Sequence, residues 1–172
     1  FGDDALYGDS GDDTLIDTPS SGDGSNLLDG GDGNDTIFSS NSDVDWTNHS
    51  TVLGGAGDDS YNAALGTDHT AANGSTLNAG DLLTGDTGTD SLNVSIAGAH
   101  TGDKSTSGVT TTGIEVLNID NYETTANTDT IDAAQMSGLT TVNQNNSAAT
   151  GDTLVTNLTA VVNASMKNGS GD

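Results

Sequence analysis

Carboxylates recur at a fixed distance behind glycine turns along the first half of this chain. Gly30-Gly31-Asp32-Gly33-Asn34-Asp35-Thr36-Ile37-Phe38 and Gly54-Gly55-Ala56-Gly57-Asp58-Asp59-Ser60-Tyr61-Asn62 both fit the nonapeptide G-G-x-G-x-D-x-U-x, where U is a large apolar residue. Two further copies, Gly8-Asp9-Ser10-Gly11-Asp12-Asp13-Thr14-Leu15-Ile16 and Gly85-Asp86-Thr87-Gly88-Thr89-Asp90-Ser91-Leu92-Asn93, differ only in carrying Asp at the second position. Glycine at positions one, two and four lets the chain reverse sharply at positive φ, and the sixth-position Asp projects a carboxylate into that turn. Carbonyls and carboxylates gathered in this way attract a hard cation. Calcium takes six to eight oxygens in flexible geometry and suits stacked turns, whereas magnesium demands a stricter octahedron.

Such turns need strands to hold them in register. The x-U-x that closes each nonapeptide reads as a very short strand with U pointing inward. Extending the frame finds weaker copies. Residues 21–29, with Asn26 in the Asp place and Leu28 inward, run directly into the Gly30 repeat; residues 76–84, with Asp81 and Leu83 in those roles, run into the Gly85 repeat. Repeats therefore come in tandem pairs, and one pair makes one coil with turns on opposite edges. In register, Asp13, Asp35, Asp59 and Asp90 line one edge, with Asp4, Asn26 and Asp81 on the other and Ser50 in the same slot of a coil ending at Leu53. The intervening residues 17–20, 39–53 and 63–75 are rich in Ser, Thr, Asn and Gly and read as extruded loops.

Beyond residue 93 the glycine turns fade, yet Leu92, Val94 and Ile96 alternate with polar neighbours at the strand period. Segments 113–118, 138–143 and 157–163 each pair an apolar residue with another about three further on and then an Asn: Asn118, Asn143 and Asn163. Asp129-Thr130-Ile131 and Asp152-Thr153-Leu154 echo Asp13-Thr14-Leu15. Thr and Val favour strands, and Asn suits turns and stacked ladders. The expected architecture is all-β: a right-handed parallel β-roll over 1–93 continuing into a wider, calcium-poor, Thr/Asn-rich parallel β-solenoid over 94–172.

Composition bounds the partners. The chain has 26 acidic and 2 basic residues, a formal charge of −24, and every acid except Glu115 and Glu123 is Asp. Asp is the better turn former, so the bias belongs to the turns and not to solubility alone. With 31% apolar and 3% aromatic residues, the chain cannot build a thick core. Ordering nine residues costs more than burying one U side chain returns, so bound cations must contribute, and residues 1–93 are expected to fold with calcium and lose order without it. No cysteine is present, which leaves crosslinking to calcium. The charge repels nucleic acid, and no apolar run reaches a membrane span, so neither nucleic-acid binding nor membrane insertion is expected. Phe1 enters at the third position of a nonapeptide and residues 168–172 close on a glycine turn, so the sequence reads as part of a longer protein whose coils continue at both ends.

The nonapeptides resemble those of the calcium-binding RTX β-roll. The run from Leu77 to Val94, followed by Gly113-Ile114-Glu115-Val116-Leu117-Asn118-Ile119, further resembles the calcium-dependent surface-layer proteins of Gram-negative bacteria, in which G-D-x-L-x-G-G-x-G-T-D-x-L-N-V precedes G-I-E-x-L-N-V. The resemblance implies type I secretion, several calcium ions in the turns, and assembly with copies of itself into a calcium-dependent lattice at the extracellular cell surface. Cell-surface polysaccharide would be met through regions outside this segment. The implied ligands are the carboxylates of Asp13, Asp35, Asp59 and Asp90 with carbonyls around Gly8, Gly11, Gly30, Gly31, Gly33, Gly54, Gly55, Gly57, Gly85 and Gly88; Asp4, Asn26 and Asp81 take the same role on the second edge, where Asn26 offers only a neutral oxygen.

Other readings use the same residues differently. A flexible acidic linker shares the composition but does not require apolar residues in phase with Asp. Asp12, Asp32, Asp58 and Asp86 read as solvated turn residues, and His49, His69 and His100 as scattered surface residues in loops. Trp46 reads as a loop anchor. There is no arginine, no G-x-S-x-G elbow, no H-E-x-x-H helix and no P-loop, so a structural role is favoured over an enzyme. A calcium-rigidified adhesin stalk and the secretion tail of an exported hydrolase remain the alternatives.

Overall fold

The structure is a computed structural model that describes residues 2–17, 24–38, 49–65, 75–96, 98, 100, 102–146, 150–160 and 162–166. Pro19, Trp46, His69 and the closing glycine turn at 168–172 lie outside them, as does Phe1.

Every strand pairing is parallel. One sheet stacks β1 (Ala5–Tyr7), β3 (Leu27–Asp32), β5 (Thr51–Ala56), β7 (Leu82–Thr87), β9 (Thr110–Thr112) and β12 (Met136–Ser137). The facing sheet stacks β2 (Thr14–Ile16), β4 (Thr36–Phe38), β6 (Ser60–Leu65), β8 (Ser91–Ile96), β10 (Val116–Asn121), β13 (Thr141–Asn146) and β15 (Asn163–Met166). The chain winds from one sheet to the other and back, forming a β-solenoid of about five turns. Along the edge of Asp13, Asp35, Asp59, Asp90 and Glu115, successive coils advance by 22, 24, 31 and 25 residues.

The U positions explain the winding. Leu15, Ile37, Tyr61, Leu92, Leu117 and Val142 are register partners on one sheet and all buried. Leu28, Val52 and Leu83 form the matching row opposite. Both rows share one apolar core. In β2 and β4, U is the only buried residue of a three-residue strand. From β6 onward the strand lengthens to six residues: in β8, Leu92, Val94 and Ile96 all point inward. The alternation therefore widens the roll before the glycine turns end.

Two expected loops are shorter than the sequence suggested. Thr51–Ala56 is strand β5 and Ser60–Leu65 is strand β6, because Val52 and Leu65 are large apolar residues that the core takes up at 1% exposure each.

After Ile96 a third strip appears. Ser105 bridges Thr130, and β11 (Thr128–Asp132) pairs with β14 (Asp152–Thr156). The coil of β11, β12 and β13 thus has three sides, and Ser105, β9 and β10 prefigure the arrangement one coil earlier. Asn rungs tie these coils together on the outside of the second sheet: Asn93 Nδ2 donates to Asn62 Oδ1 at 3.2 Å, Asn118 to Asn93 at 2.8 Å and Asn143 to Asn118 at 3.0 Å. Asn163 does not continue this row. Its segment has one extra residue between the apolar residue and Asn, Leu158 is exposed, and Ser165 stands opposite Asn143 instead. The Asp129 echo also falls elsewhere: Asp13 precedes its strand, whereas Asp129 lies within β11, opposite Thr153.

Candidate metal centre

Four turns stack along one edge, and their sixth-position carboxylates join them. Oδ1 of Asp35 accepts the backbone amide of Asp13, Oδ1 of Asp59 that of Asp35 and Oδ1 of Asp90 that of Asp59, each at 2.8 Å. Glu115 extends the row by one coil: its Oε2 accepts the Asp90 amide at 2.9 Å. The other oxygens are different. Oδ2 of Asp13, Asp35, Asp59 and Asp90 are buried and accept no hydrogen bond from any described residue.

A buried, unpartnered carboxylate oxygen is costly, and four in a row repel one another. The titration of the acids reflects this. Burial, above all, raises the Asp59 carboxyl above its usual range, and the charge of Asp35 adds to it. Asp90 is pushed up to about 6 by burial, with Asp59, Glu115 and Asp58 adding negative charge around it.

The first glycine of each repeat leaves the room beside these oxygens. A Cβ on Gly30 would collide with Asp35 Oδ2 and the carbonyl of Gly54; on Gly85, with Asp90 Oδ2 and the carbonyl of Gly113. On Gly8 it would press on Asp13 Oδ2 and the Gly30 carbonyl, and on Gly54 it would strike Asp59 Oδ2. Absence of a side chain, not positive φ, is the requirement at this position. Positive φ belongs to the second and fourth positions: Gly31, Gly55, Gly11, Gly33, Gly57 and Gly88 adopt it, and so do Asp9 and Asp86, which replace the second glycine. These glycines also stack closely, with Gly55 against the Gly31 carbonyl, Gly57 against that of Gly33, and Gly88 against that of Gly57. Among the described residues the edge therefore gathers anionic oxygens and carbonyls and no side-chain nitrogen or sulfur ligand, a set that fits calcium.

The residue before each ligand-position Asp makes a second ladder, running the other way. Asp12 Oδ1 accepts the Asn34 amide, Asn34 Oδ1 the Asp58 amide and Asp58 Oδ1 the Thr89 amide, at 2.7–2.8 Å. Asp12 and Asp58 are exposed, as expected of turn residues, but each also caps the next coil.

The opposite edge brings Asp4, Asn26, Ser50 and Asp81 into one column, with its polar groups paired by protein. Asn26 Oδ1 accepts the Asp4 amide at 3.0 Å and its Nδ2 donates to Asp17 at 2.9 Å. Asp81 Oδ1 accepts the Ser50 amide at 2.9 Å and Oδ2 the Asn78 amide at 2.7 Å. No carboxylate oxygen of this column is left buried and unpartnered.

Residues 1–16, 20–43 and 49–69 match the RTX calcium-binding nonapeptide repeat, in four copies. The chain carries RTX calcium-binding repeats. These repeats bind several calcium ions, which makes the roll a calcium-binding structural segment. Asp13, Asp35, Asp59 and Asp90, with the carbonyls of Gly30, Gly54 and Gly113, would hold the ions, whose charge would cancel the repulsion along the row. The nonapeptide at 85–93 lies beyond the matched residues, yet repeats the same turn, amide contact and bare oxygen. No curated protein and no solved structure matches the chain.

His100 corrects the sequence reading. It is 3% exposed and forms a buried group with Glu123 and Asp129 on the third side of the wider coils. The three residues share no motif, and only the 25-residue coil spacing brings them together.

Proposed function

We propose that this segment is a calcium-rigidified wall of a self-assembling bacterial surface layer, extracellular and structural. The observation that supports the reading is continuity of register. The carboxylate row of the roll runs through Asp90 into Glu115, and the amide ladder from Asn62 through Asn93 and Asn118 to Asn143 crosses the same boundary. The calcium-binding coils and the polar, Thr/Asn-rich coils thus form one continuous stack, as a load-carrying layer requires and a short secretion tail does not. Residues 1–93 serve as the calcium-dependent part, and the coils after them as a calcium-poor part held by amide ladders and larger apolar rows.

In this reading the partners are further copies of the chain, and calcium controls assembly by fixing the coils. Electron microscopy of the chain refolded at rising calcium tests it. Extended sheets that disperse in chelator are the expected result. Isolated particles at high protein concentration in saturating calcium would overturn the self-assembly reading, and unbranched fibres would favour an adhesin stalk.

A further inference from the structure

The group formed by His100, Glu123 and Asp129 lies apart from the carboxylate row, at the corner where β10 turns into β11, with His100 one coil earlier. All three residues are buried, and the side chains of His100, Glu123 and Asp129 have no exposure. His100 Nε2 lies 3.1 Å from Asp129 Oδ2 and 3.4 Å from Glu123 Oε1. On the other side of the ring, Nδ1 is 3.0 Å from the carbonyl oxygen of Gly102. A carbonyl can only accept, and Asn127 Nδ2, 3.3 Å from the same nitrogen, has nearer acceptors for its two hydrogens in Glu123 Oε1 and the His100 carbonyl, so the hydrogen is assigned to Nδ1 and the Nε2 lone pair of the neutral ring faces two carboxylates.

The carboxylates are held from behind. Asp129 Oδ1 accepts the Lys104 amide at 2.8 Å. Glu123 Oε1 accepts from Thr125 Oγ1 at 2.7 Å and from Asn127 Nδ2 at 2.6 Å. Glu123 Oε2 is buried and accepts no hydrogen bond from any described residue, and a Cβ on Gly151 would fall against it.

Two species could reconcile Nε2 with these acids. One added proton, on the ring Nε2 or on the Asp129 carboxyl, would serve the His100–Asp129 contact but leave Glu123 Oε2 bare and the group with net negative charge. A divalent ion neutralises both carboxylates and gives Nε2, Asp129 Oδ2 and Glu123 a shared partner. The donor atoms lie within 4.8 Å of one another. Tetrahedral zinc, with bonds of about 2.0–2.1 Å, sets its ligand atoms about 3.3 Å apart, close to the separations around Nε2. An imidazole nitrogen favours a first-row transition ion over calcium, and a ligating His that donates its other N–H to a backbone carbonyl has the orientation such sites use.

We propose that His100, Glu123 and Asp129 form a structural site for a zinc-type divalent ion, distinct from the calcium row. It pins the third side of the wider coils, where glycine turns no longer supply a cation cage. Zinc chloride titrated into the full chain in saturating calcium tests the site by calorimetry. One zinc per chain is expected, not displaced by excess calcium, with affinity falling about 10–100-fold or more in His100→Gln and unchanged in Asp32→Asn and His49→Gln, both on exposed side chains. If His100→Gln does not fold, cobalt substitution of the unmodified chain decides by its absorption: tetrahedral visible bands with X-ray absorption showing one nitrogen and carboxylate oxygens support the site. Zinc uptake equal in the His100→Gln and unmodified chains would overturn it. So would no zinc uptake by the unmodified chain, the group then being a metal-free pair of His100 and Asp129 that shares one proton, which nitrogen NMR of the ring would locate.

Discussion

Asp59 Oδ1 accepts the backbone amide of Asp35 at 2.8 Å, while Oδ2 of the same carboxylate is buried and bare. One half of the group zips two coils together without metal. The other half opposes folding until a cation reaches it. Asp35 stands in the same relation to Asp13.

Asp35→Asn should therefore change sign with calcium. Asn retains the acceptor for the Asp13 amide and places a donor where Oδ2 now lies, beside the Gly54 carbonyl. In chelator, loss of the bare buried charge should stabilise any remaining fold by about 1–3 kcal/mol. In saturating calcium the variant should melt below the unmodified chain, since a charged ligand is gone. Asp32→Asn, on an exposed side chain, should leave both melts in place. Circular dichroism melts in the two buffers check this, and shifts of the same sign in both would count against a cation site.

Proton binding should mimic calcium weakly. The Asp90 carboxyl titrates at about 6 in the fold, above its usual value of 3.8, because of burial first and then its acidic neighbours. The folded state binds this proton more tightly than the unfolded chain, so in chelator the contribution is full below the usual value and is lost as pH rises through about 6. In calcium the sign reverses, because proton and ion compete for the same oxygens. Calcium affinity measured by titration should fall as pH drops below about 6, and melts in chelator should rise over the same interval.

The repeats made one edge of this fold legible, because spacing and chemistry recur together. Asp13, Asp35, Asp59 and Asp90 keep both the acid and the following inward residue, so their stacking could be read directly, and the slot of Ser50 followed from the same frame. Glu115 was not legible. Its acid is longer and only Ile114 separates it from Gly113, where four residues separate Gly85 from Asp90, so the nonapeptide frame is lost; only its place one coil after Asp90 reveals it. His100 was hidden for another reason. A buried polar cluster on a third side depends on coil length, and the sequence frame had assumed two sides.

Asp86 and Asp9 hold φ of 66° and 70° where the other two nonapeptides have glycine. An L residue pays for that conformation with about 1–2 kcal/mol, Asp somewhat less, while glycine adds entropy to the unfolded chain. Asp86→Gly should therefore stabilise the protein by up to about 1 kcal/mol, and more clearly in chelator, where a like charge near Asp59 is also removed. Gly57→Ala should do the reverse: φ there is 134° and a Cβ would collide with the Gly33 carbonyl. Thermal melts of both variants decide whether the second and fourth positions are set by backbone conformation.

The amide ladder should be independent of calcium. Asn118 Nδ2 donates to Asn93 and its Oδ1 accepts from Asn143, so the row has a direction, and each rung must offer both a donor and an acceptor. Asn118→Ala deletes two side-chain hydrogen bonds and should cost about 1–2 kcal/mol, equally in calcium and in chelator. Asn118→Asp still accepts from Asn143 but turns a carboxylate toward the Asn93 carbonyl oxygen, so it should destabilise at least as much as Ala despite its closer shape. Unfolding of the coils after residue 93, followed in both buffers by hydrogen exchange, separates this from the carboxylate row. An Asp variant as stable as the parent would mean that the ladder is packing alone and that its hydrogen bonds contribute nothing.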